Sequence, residues 1–277
     1  MIKYGNENKY MDGYYKDNLD LLNEAVDKNW DGVLYICGYE GDGKTTMGEQ
    51  TAYYLDPTFC MDRCCFTPTQ FKEACISATK KQCVMFDESF LAFNNKNWQD
   101  KTTKQIISLL TMIRKKQLFI IIIAPTFFDI QKYIAIHRSR ALIQVYANGL
   151  TRGYFKFWNR ERKHALYIKG KQYENYGCVV PNFRGRFTDW HCLDEKEYDK
   201  KKTAAINSYA EGKEVAWDKP SQYHLLQWLN DSGFLMPLSI SNIARYYFRV
   251  TPQALNQHLL KIKADKETSS VNNKVNV

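Results

Sequence analysis

The chain has 277 residues, a formal net charge of +9, and hydrophobic side chains at 44% of its positions. This composition is ordinary for a globular protein and excludes a collagen-like or largely disordered chain. The longest apolar run, Leu118–Ala124, has the length of a buried strand, so stable insertion in a membrane is not expected. Eight cysteines without an apolar leader segment predict reduced thiols and a cytoplasmic location, which for a viral protein is the host cell.

Strands and helices alternate along the first 150 residues, after a polar arm over residues 1–17. This alternation predicts βαβ units and an α/β fold with a mainly parallel central sheet. The predicted strands are Val33–Cys37, Cys83–Phe86, Leu118–Ala124 and Ala141–Tyr146. The predicted helices are Asn18–Trp30, Thr45–Leu55, a helix capped by Thr67 that begins at Pro68 and runs to about Lys80, Asp100–Lys116 and Phe127–His137.

The pattern changes after the Asn148-Gly149 turn. Tyr154–Trp158 and Ala165–Lys169 alternate as hairpin strands, so the sheet is expected to gain antiparallel strands at its edge. We predict an ATPase domain over residues 1–192, a helical linker over 193–220, a small helical module resembling a helix-turn-helix over 221–263, and a disordered tail over 264–277. The linker contains a charged helix, Leu193–Glu211.

A glycine-rich segment follows the first strand. Its sequence, GYEGDGKT over residues 38–45, fits GxxxxGK[ST] between an apolar strand and a helix start. Glycines let successive backbone N–H groups turn toward phosphate oxygens, and the helix start adds its positive dipole end. Lys44 is expected to hold the β- and γ-phosphates of ATP, and Thr45 to ligate Mg²⁺. The predicted nucleotide-binding residues are Gly38, Gly41, Asp42, Gly43, Lys44, Thr45 and Thr46.

Two acids follow the strand Cys83–Phe86. An acid at the carboxyl end of a parallel strand lies beside the phosphate site, so Asp87 is predicted to complete the Mg²⁺ site. Glu88 is positioned to polarise the attacking water, which predicts ATP hydrolysis.

Two further catalytic residues are predicted with alternatives left open. Thr126, after the strand Leu118–Ala124, is the candidate sensor of the γ-phosphate. Phosphoryl transfer also needs a cation for the transition state, often an arginine from a neighbouring subunit. Arg114 is the first candidate, with Arg138 and Arg140 as rivals.

The order of these elements resembles the FtsK–HerA superfamily of ASCE ATPases. That group includes DNA translocases, conjugation coupling ATPases, viral genome-packaging ATPases and the zonula occludens toxin-like ATPases of filamentous phages. The similarity covers about residues 30–160, including VMFDE at 84–88 and IIIIAPTFFDIQKYIAIHRSRALIQVY at 120–146. At the sensor position the superfamily usually carries Gln, where this chain has Thr126. The resemblance implies a ring of identical subunits that pumps DNA through a central channel.

Two segments carry features of nucleic-acid binding. Residues 150–190 contain nine Lys or Arg against three Asp or Glu, interleaved with ten aromatic residues. In the C-terminal module, Thr251-Pro252 begins a helix that would present polar side chains outward, as a recognition helix does. Cationic hairpin faces without a ligand, and a helical bundle for protein contacts, are the alternatives. The predicted DNA-binding residues are Arg160, Arg162, Lys163, Gln253, Asn256, Gln257 and Lys261.

Together these features predict an ATPase that moves or packages DNA, in double-stranded form, for a phage or mobile element. One alternative is an AAA+-like DNA-binding regulator or helicase loader. Another is an assembly or export ATPase that acts on protein partners, with the basic segment serving a membrane or coat protein. Besides DNA and further copies of the chain, a viral portal or a membrane or assembly protein is an expected partner.

Overall fold

A computed structural model describes residues 2–4, 9–87 and 101–210, together with the single positions 253, 257 and 260. The chain divides into two compact units, Met1–Val215 and Ala216–Val277. In the second unit, Gln253, Gln257 and Leu260 are helical and exposed. Among the residues so described, no helix has both the length and the apolar character needed to cross a bilayer.

The first unit is built on a seven-stranded sheet with the strand order β4-β5-β6-β3-β7-β8-β9, beside a two-stranded ribbon, β1-β2. The strands are β1 Ile2–Tyr4, β2 Lys9–Met11, β3 Gly32–Cys37, β4 Cys64–Cys65, β5 Cys83–Phe86, β6 Phe119–Ala124, β7 Ala141–Asn148, β8 Thr151–Trp158 and β9 Phe183–Arg186. The neighbouring strands β4, β5, β6, β3 and β7 pair in parallel. Strands β8 and β9 extend the sheet beyond β7 in antiparallel orientation. The predicted α/β class and the mainly parallel sheet with antiparallel additions are confirmed.

Helices connect and cover the sheet. They are α1 Gly13–Asp27, α2 Lys44–Leu55, α3 Pro68–Ser77, α4 Lys101–Met112, α5 Arg160–Gly170 and α6 Glu195–Ala210, with a π-helix over Tyr133–Arg138 and 3₁₀ turns over Met61–Arg63, Ile113–Lys116 and Lys171–Tyr173. Helix α3 begins as predicted, because Thr67 Oγ1 accepts the Gln70 N–H at 3.3 Å and Pro68 takes the first position. Strands β3 and β6 are buried along their whole length, as expected of strands covered on both faces.

Two predicted elements are wrong. Ala165–Lys169 is not a strand but part of α5, which begins where Asn159 Oδ1 accepts the Arg162 N–H at 3.0 Å. The buried residues of this helix, Lys163, Leu166, Tyr167 and Gly170, follow the i, i+3, i+4, i+7 spacing of one helical face, and this burial outweighs the local alternation. The predicted helix Phe127–His137 is helical only toward its end. Its first residues turn where Thr126 Oγ1 accepts the Phe128 N–H at 3.3 Å.

Helix α6 falls in the segment that the sequence predicted as a linker. Lys201 Nζ donates to the carbonyls of Met61 and Cys64, each at 2.7 Å. The ring of Tyr198 packs edge-on against Phe66, with centroids 5.1 Å apart. These contacts attach α6 to the first unit, on the side where β4 and the start of α3 lie.

Candidate nucleotide-binding site

The glycine-rich loop joins β3 to α2 at the carboxyl edge of the parallel strands. Gly43 has φ +94°, a left-handed conformation that side-chain-bearing residues rarely adopt. A Cβ atom at Gly38 would lie 2.4 Å from the Val145 carbonyl oxygen, so no larger residue fits there. Asp42 is buried and its carboxylate accepts the Tyr39 N–H at 3.0 Å. The loop is therefore held in shape by its own residues.

Lys44 and the first turn of α2 supply the positive charge of the loop. Lys44 Nζ lies back over the loop and donates to the Tyr39 carbonyl at 2.8 Å. The first backbone N–H groups of a helix have no partner within the helix and carry the positive end of its dipole. A loop of this form, leading into a helix, is an anion site of the kind that holds nucleotide phosphates.

Thr45 and Asp87 meet at the edge of the loop although 42 residues separate them. Thr45 Oγ1 donates to Asp87 Oδ2 at 2.8 Å. Asp87 is 2% exposed, and its backbone N–H donates to the Cys65 carbonyl at 2.9 Å, which fixes its position after β5. A hydroxyl and a carboxylate oxygen are the hard ligands that Mg²⁺ prefers, so these two residues fit the ion.

A third oxygen joins this pair from α6. Tyr198 Oη donates to the same Asp87 Oδ2 at 2.5 Å and lies 3.4 Å from Thr45 Oγ1. Burial and the neighbouring Asp87 carboxylate raise the pKa of Tyr198 well above its usual range, so the phenol stays protonated and donates. No sequence signal marks Tyr198, because its role depends on where α6 docks.

The segment before α6 is attached to α2 through a buried carboxylate. Glu49 is 1% exposed, and its Oε2 lies 3.2 Å from both His191 Nδ1 and the Cys192 backbone N–H. Burial raises the pKa of Glu49, while His191 opposes that rise. Gln50 Nε2 donates to the carbonyls of Thr188 and Trp190, at 2.6 and 3.0 Å. The helix that begins at the phosphate loop is thus tied to the chain that leads into α6.

Thr46, another predicted nucleotide-binding residue, faces this same segment. Its hydroxyl lies 3.4 Å from His191 Nε2, and the residue is 7% exposed. Thr126, the candidate sensor, lies near the loop, since the Gly38 N–H donates to the Pro125 carbonyl at 3.2 Å. The Thr126 carbonyl accepts the Tyr35 hydroxyl at 2.8 Å. The position of Thr126 is compatible with the predicted role, which stays a prediction.

The three candidate arginine fingers lie at the opposite edge of the sheet. Arg114 precedes β6, and Arg138 and Arg140 precede β7, whereas the loop follows the carboxyl end of β3. A strand of six residues spans about 20 Å, so none of the three reaches the loop of its own chain. Arg138 is also buried against Asp31 and donates to the Leu110 carbonyl, so it is not a mobile cation. A finger role for Arg114 or Arg140 requires a second copy of the chain.

The prediction that Lys163 binds DNA is wrong. Its ammonium is fully buried and donates to the carbonyls of Ala135 and Ile136 and to Ser139 Oγ, so it offers no charge at the surface. Arg162 is exposed and donates to the Pro181 carbonyl at 2.9 Å.

Arg160 is exposed, as are Gln253 and Gln257 in the second unit. Three of the predicted site residues, Glu88, Asn256 and Lys261, lie outside the described residues.

The structure instead forms a cationic strand face on β7, β8 and β9, which we define by Tyr146, Arg152, Tyr154, Lys156, Arg184 and Arg186. The register places Lys156 opposite Arg184 and Tyr154 between Tyr146 and Arg186. The signal in the sequence is the alternation of Arg152, Tyr154 and Lys156 with Gly153, Phe155 and Phe157, which are buried on the other face. Within the part of the chain that the structure describes, its four cations form no ion pair.

In the cationic strand face, cations lie over stacked tyrosine rings, and one end of the face lies next to the phosphate loop. Tyr146 and Tyr154 stack with centroids 5.7 Å apart, and Lys156 and Arg186 lie over these rings at 5.0 and 4.9 Å. Burial lowers the pKa of Lys156, and Arg184 lowers it further, as expected where like charges face each other. A Cβ atom on Gly41 would lie 3.7 Å from Arg152 Nη2. One end of this face therefore borders the loop.

Comparison with solved structures gives several likenesses, two of which follow, while no protein-family model and no curated protein sequence matches the chain. The N-terminal domain of zonular occludens toxin from Neisseria meningitidis is 16% identical with a TM-score of 0.38, covering 61% of this chain and 98% of that one. The genome packaging NTPase from Sulfolobus turreted icosahedral virus 2, in complex with AMP, is 11% identical with a TM-score of 0.33, covering 49% and 95%.

Proposed function

We propose that this chain binds ATP with Mg²⁺ at the loop 38–45 and hydrolyses it. The observation that carries this proposal is the meeting of Thr45 and Asp87, at 2.8 Å, beside a loop that presents Lys44 and the start of α2. When bound, the ion supplies Lewis-acid chemistry that neutralises charge on the phosphates. Lys44 exchanges its carbonyl partner for phosphate oxygens, and the loop amides orient the β- and γ-phosphates. Glu88, directly after Asp87, is the proposed base for the attacking water.

Two variants separate binding from hydrolysis. Lys44→Ala removes the cation of the loop, so we expect both ATP affinity and turnover to fall. Glu88→Gln keeps the loop and changes only the proposed base, so we expect ATP to bind as in the parent while turnover drops at least about a hundredfold. Calorimetric ATP titration and steady-state phosphate release measure the two effects. Unchanged turnover in Glu88→Gln would remove the base assignment, and unchanged binding in Lys44→Ala would remove the site.

We further propose that hydrolysis is coupled to DNA, which the chain moves or packages as a ring of identical subunits. The cationic strand face supports this proposal, because three arginines and a lysine beside aromatic rings suit phosphates and bases. Its proximity to the loop supports coupling. Arg152 borders Gly41, so a phosphate held by Arg152 would touch the loop that holds the nucleotide.

The test of coupling is ATP turnover with and without double-stranded DNA. Stimulation that Glu88→Gln abolishes supports the motor, and displacement of a triplex-forming strand then separates movement along DNA from action as a loader. Turnover that Glu88→Gln abolishes but DNA does not affect would contradict the motor. It would instead favour an ATPase that acts on a protein during assembly.

A further inference from the structure

An arginine-rich cleft opens at the amino-terminal edge of the parallel strands, away from the phosphate loop. Its volume is about 360 Å³. We define this arginine cleft by the residues that carry its chemistry: Trp30, Asp31, Arg114, Arg138, Arg140 and Arg160. They come from four separate places, namely the approach to β3, the 3₁₀ turn before β6, the π-helix with the residues after it, and the first position of α5. The fold thus gathers four guanidinium groups around one carboxylate.

The carboxylate of the cleft, that of Asp31, already forms an ion pair with an arginine. Asp31 is 2% exposed and pairs with Arg138, which is 8% exposed. The Arg138 guanidinium also donates to the Leu110 carbonyl, through Nε at 3.1 Å and Nη2 at 2.7 Å. Asp31 and Arg138 are both buried and line the cleft, so together they form its floor. Their charges compensate each other.

The other three arginines, Arg114, Arg140 and Arg160, also line the cleft. Arg140 is half-buried, with its guanidinium 4.2 Å from the centroid of the Trp30 ring. Arg114 and Arg160 are exposed. In the ranges 9–87 and 101–210, none of the three takes part in an ion pair.

These like charges lie close enough to act on one another. Burial lowers the pKa of Arg140, Asp31 opposes this, and Arg160, Arg138 and Arg114 each lower it further. Like charges gathered in one place repel, and an anion between them removes that repulsion. A guanidinium fork matches the oxygens of a phosphate group, and the Trp30 ring, 43% exposed, offers an apolar wall for a sugar or base.

We propose that the arginine cleft is a second phosphate-binding site, in which Arg114, Arg140 and Arg160 bind the phosphodiester of a nucleic acid. The nucleic-acid source rests on the proposed action on DNA, whereas the anion site does not. The same chemistry could come from one other source, the nucleotide held at the loop of a second copy of the chain. Six residues of β3 separate the cleft from the loop of the same chain, so the two sites are distinct.

The test uses the full chain and the double variant Arg114→Gln, Arg160→Gln. Both side chains are exposed and free of ion pairs in the described ranges, so the fold is expected to persist, which an unchanged urea midpoint verifies. Arg140→Lys is a second variant, which keeps the charge but removes the fork of the guanidinium group. The matched control is Lys169→Gln, which removes the charge of an exposed residue of α5 that does not line the cleft.

Binding of a labelled DNA duplex is measured by anisotropy over a range of salt concentrations without nucleotide. We expect the double variant to bind at least about tenfold more weakly than the parent. The slope of log affinity against log salt concentration should become shallower by about one unit for each lost phosphate contact. Arg140→Lys should weaken binding less, and Lys169→Gln should change it less than about twofold.

A second arm identifies the other phosphate source. The double variant has an intact loop, and Lys44→Ala has an intact cleft, so mixing the two restores ATP turnover if the cleft acts on the nucleotide of a neighbouring copy. Turnover restored with unchanged DNA affinity assigns the phosphate to the nucleotide. If DNA affinity, salt dependence and turnover of the double variant all match those of Lys169→Gln, the cleft is not a phosphate site. A parent chain that hydrolyses ATP without binding DNA contradicts the DNA proposal alone, because the mixing arm still tests the cleft.

Discussion

The phenol of Tyr198 donates to Asp87 Oδ2 at 2.5 Å, and Thr45 donates to the same oxygen at 2.8 Å. Asp87 therefore accepts two hydrogen bonds at one oxygen of the carboxylate that would hold Mg²⁺. One comes from the helix that begins at the phosphate loop and the other from α6, which precedes the second unit. We expect Mg²⁺ and the Tyr198 hydroxyl to compete for this oxygen.

We expect Tyr198→Phe to strengthen Mg²⁺-dependent ATP binding. Removal of the hydroxyl group frees Asp87 from a hydrogen bond to its charged carboxylate, worth about 1.5–3 kcal/mol. This corresponds to an increase in Mg²⁺-dependent affinity of about tenfold to a hundredfold. Calorimetric titration with ATP in Mg²⁺ and in EDTA measures the effect, which should be confined to Mg²⁺. Tyr173→Phe, at an exposed tyrosine, is the control. Equal gains with and without the ion would show that Tyr198 does not compete for Asp87.

We expect Gly43→Ala to impair both stability and ATP binding. The left-handed φ of +94° is unfavourable for alanine by about 1–2 kcal/mol. The new methyl group would also lie 3.2 Å from the Phe187 ring. Gly149→Ala is the matched control, because Gly149 has φ +60° with no atom within 4 Å of the added Cβ.

Both glycine variants should lower the free energy of unfolding in urea, but only Gly43→Ala should weaken ATP binding. If ATP binds Gly43→Ala as tightly as it binds Gly149→Ala, the conformation of Gly43 is not required for the phosphate site.

The local parts of the site could be predicted from the sequence. Strand β5, Cys83–Phe86, and the loop 38–45 are set by short-range patterns, namely an apolar run and glycines at fixed spacing. Tyr198 could not be predicted, because nothing in the charged helix α6 indicates which surface it covers. Lys163 was misassigned for a related reason. A basic residue in a basic segment gives no sign that its ammonium group is buried and donates hydrogen bonds to three oxygen atoms inside the protein.

We expect the buried Lys163 to make stability depend on pH. Burial, with a smaller contribution from Arg160, lowers the pKa of Lys163 to about 7, while the unfolded chain keeps the ordinary value of about 10.5. Between these two pH values the unfolded state binds more protons, so the free energy of unfolding rises with pH, by at most about 1.4 kcal/mol per unit.

Lys163→Met should remove this component of the slope, and Lys169→Met, at an exposed lysine of the same helix, should keep it. Urea unfolding between about pH 7 and pH 9 measures both slopes. Parallel slopes for Lys163→Met and the parent would mean that Lys163 keeps its charge when buried.

We expect Arg184→Gln with Arg186→Gln to weaken DNA binding through the cationic strand face. Both side chains are exposed on β9, and Arg184 faces Lys156 across the strand pair, so loss of its charge also relieves a repulsion. The fold should therefore be kept or slightly stabilised. DNA affinity should fall, and the slope of log affinity against log salt concentration should become shallower by about one unit for each lost phosphate contact. Anisotropy with a labelled duplex and urea unfolding measure the two effects.

The control for this face is again Lys169→Gln, on a helix outside it. A further comparison is ATP turnover at saturating DNA, where Arg152→Gln should reduce stimulation more than the β9 variant does, because Arg152 borders Gly41 of the loop. Stimulation that survives in Arg152→Gln, together with weakened DNA binding in the β9 variant, would mean that DNA binds the face but communicates with the nucleotide by another route. Unchanged DNA affinity in the β9 variant would show that nucleic acid does not bind this face.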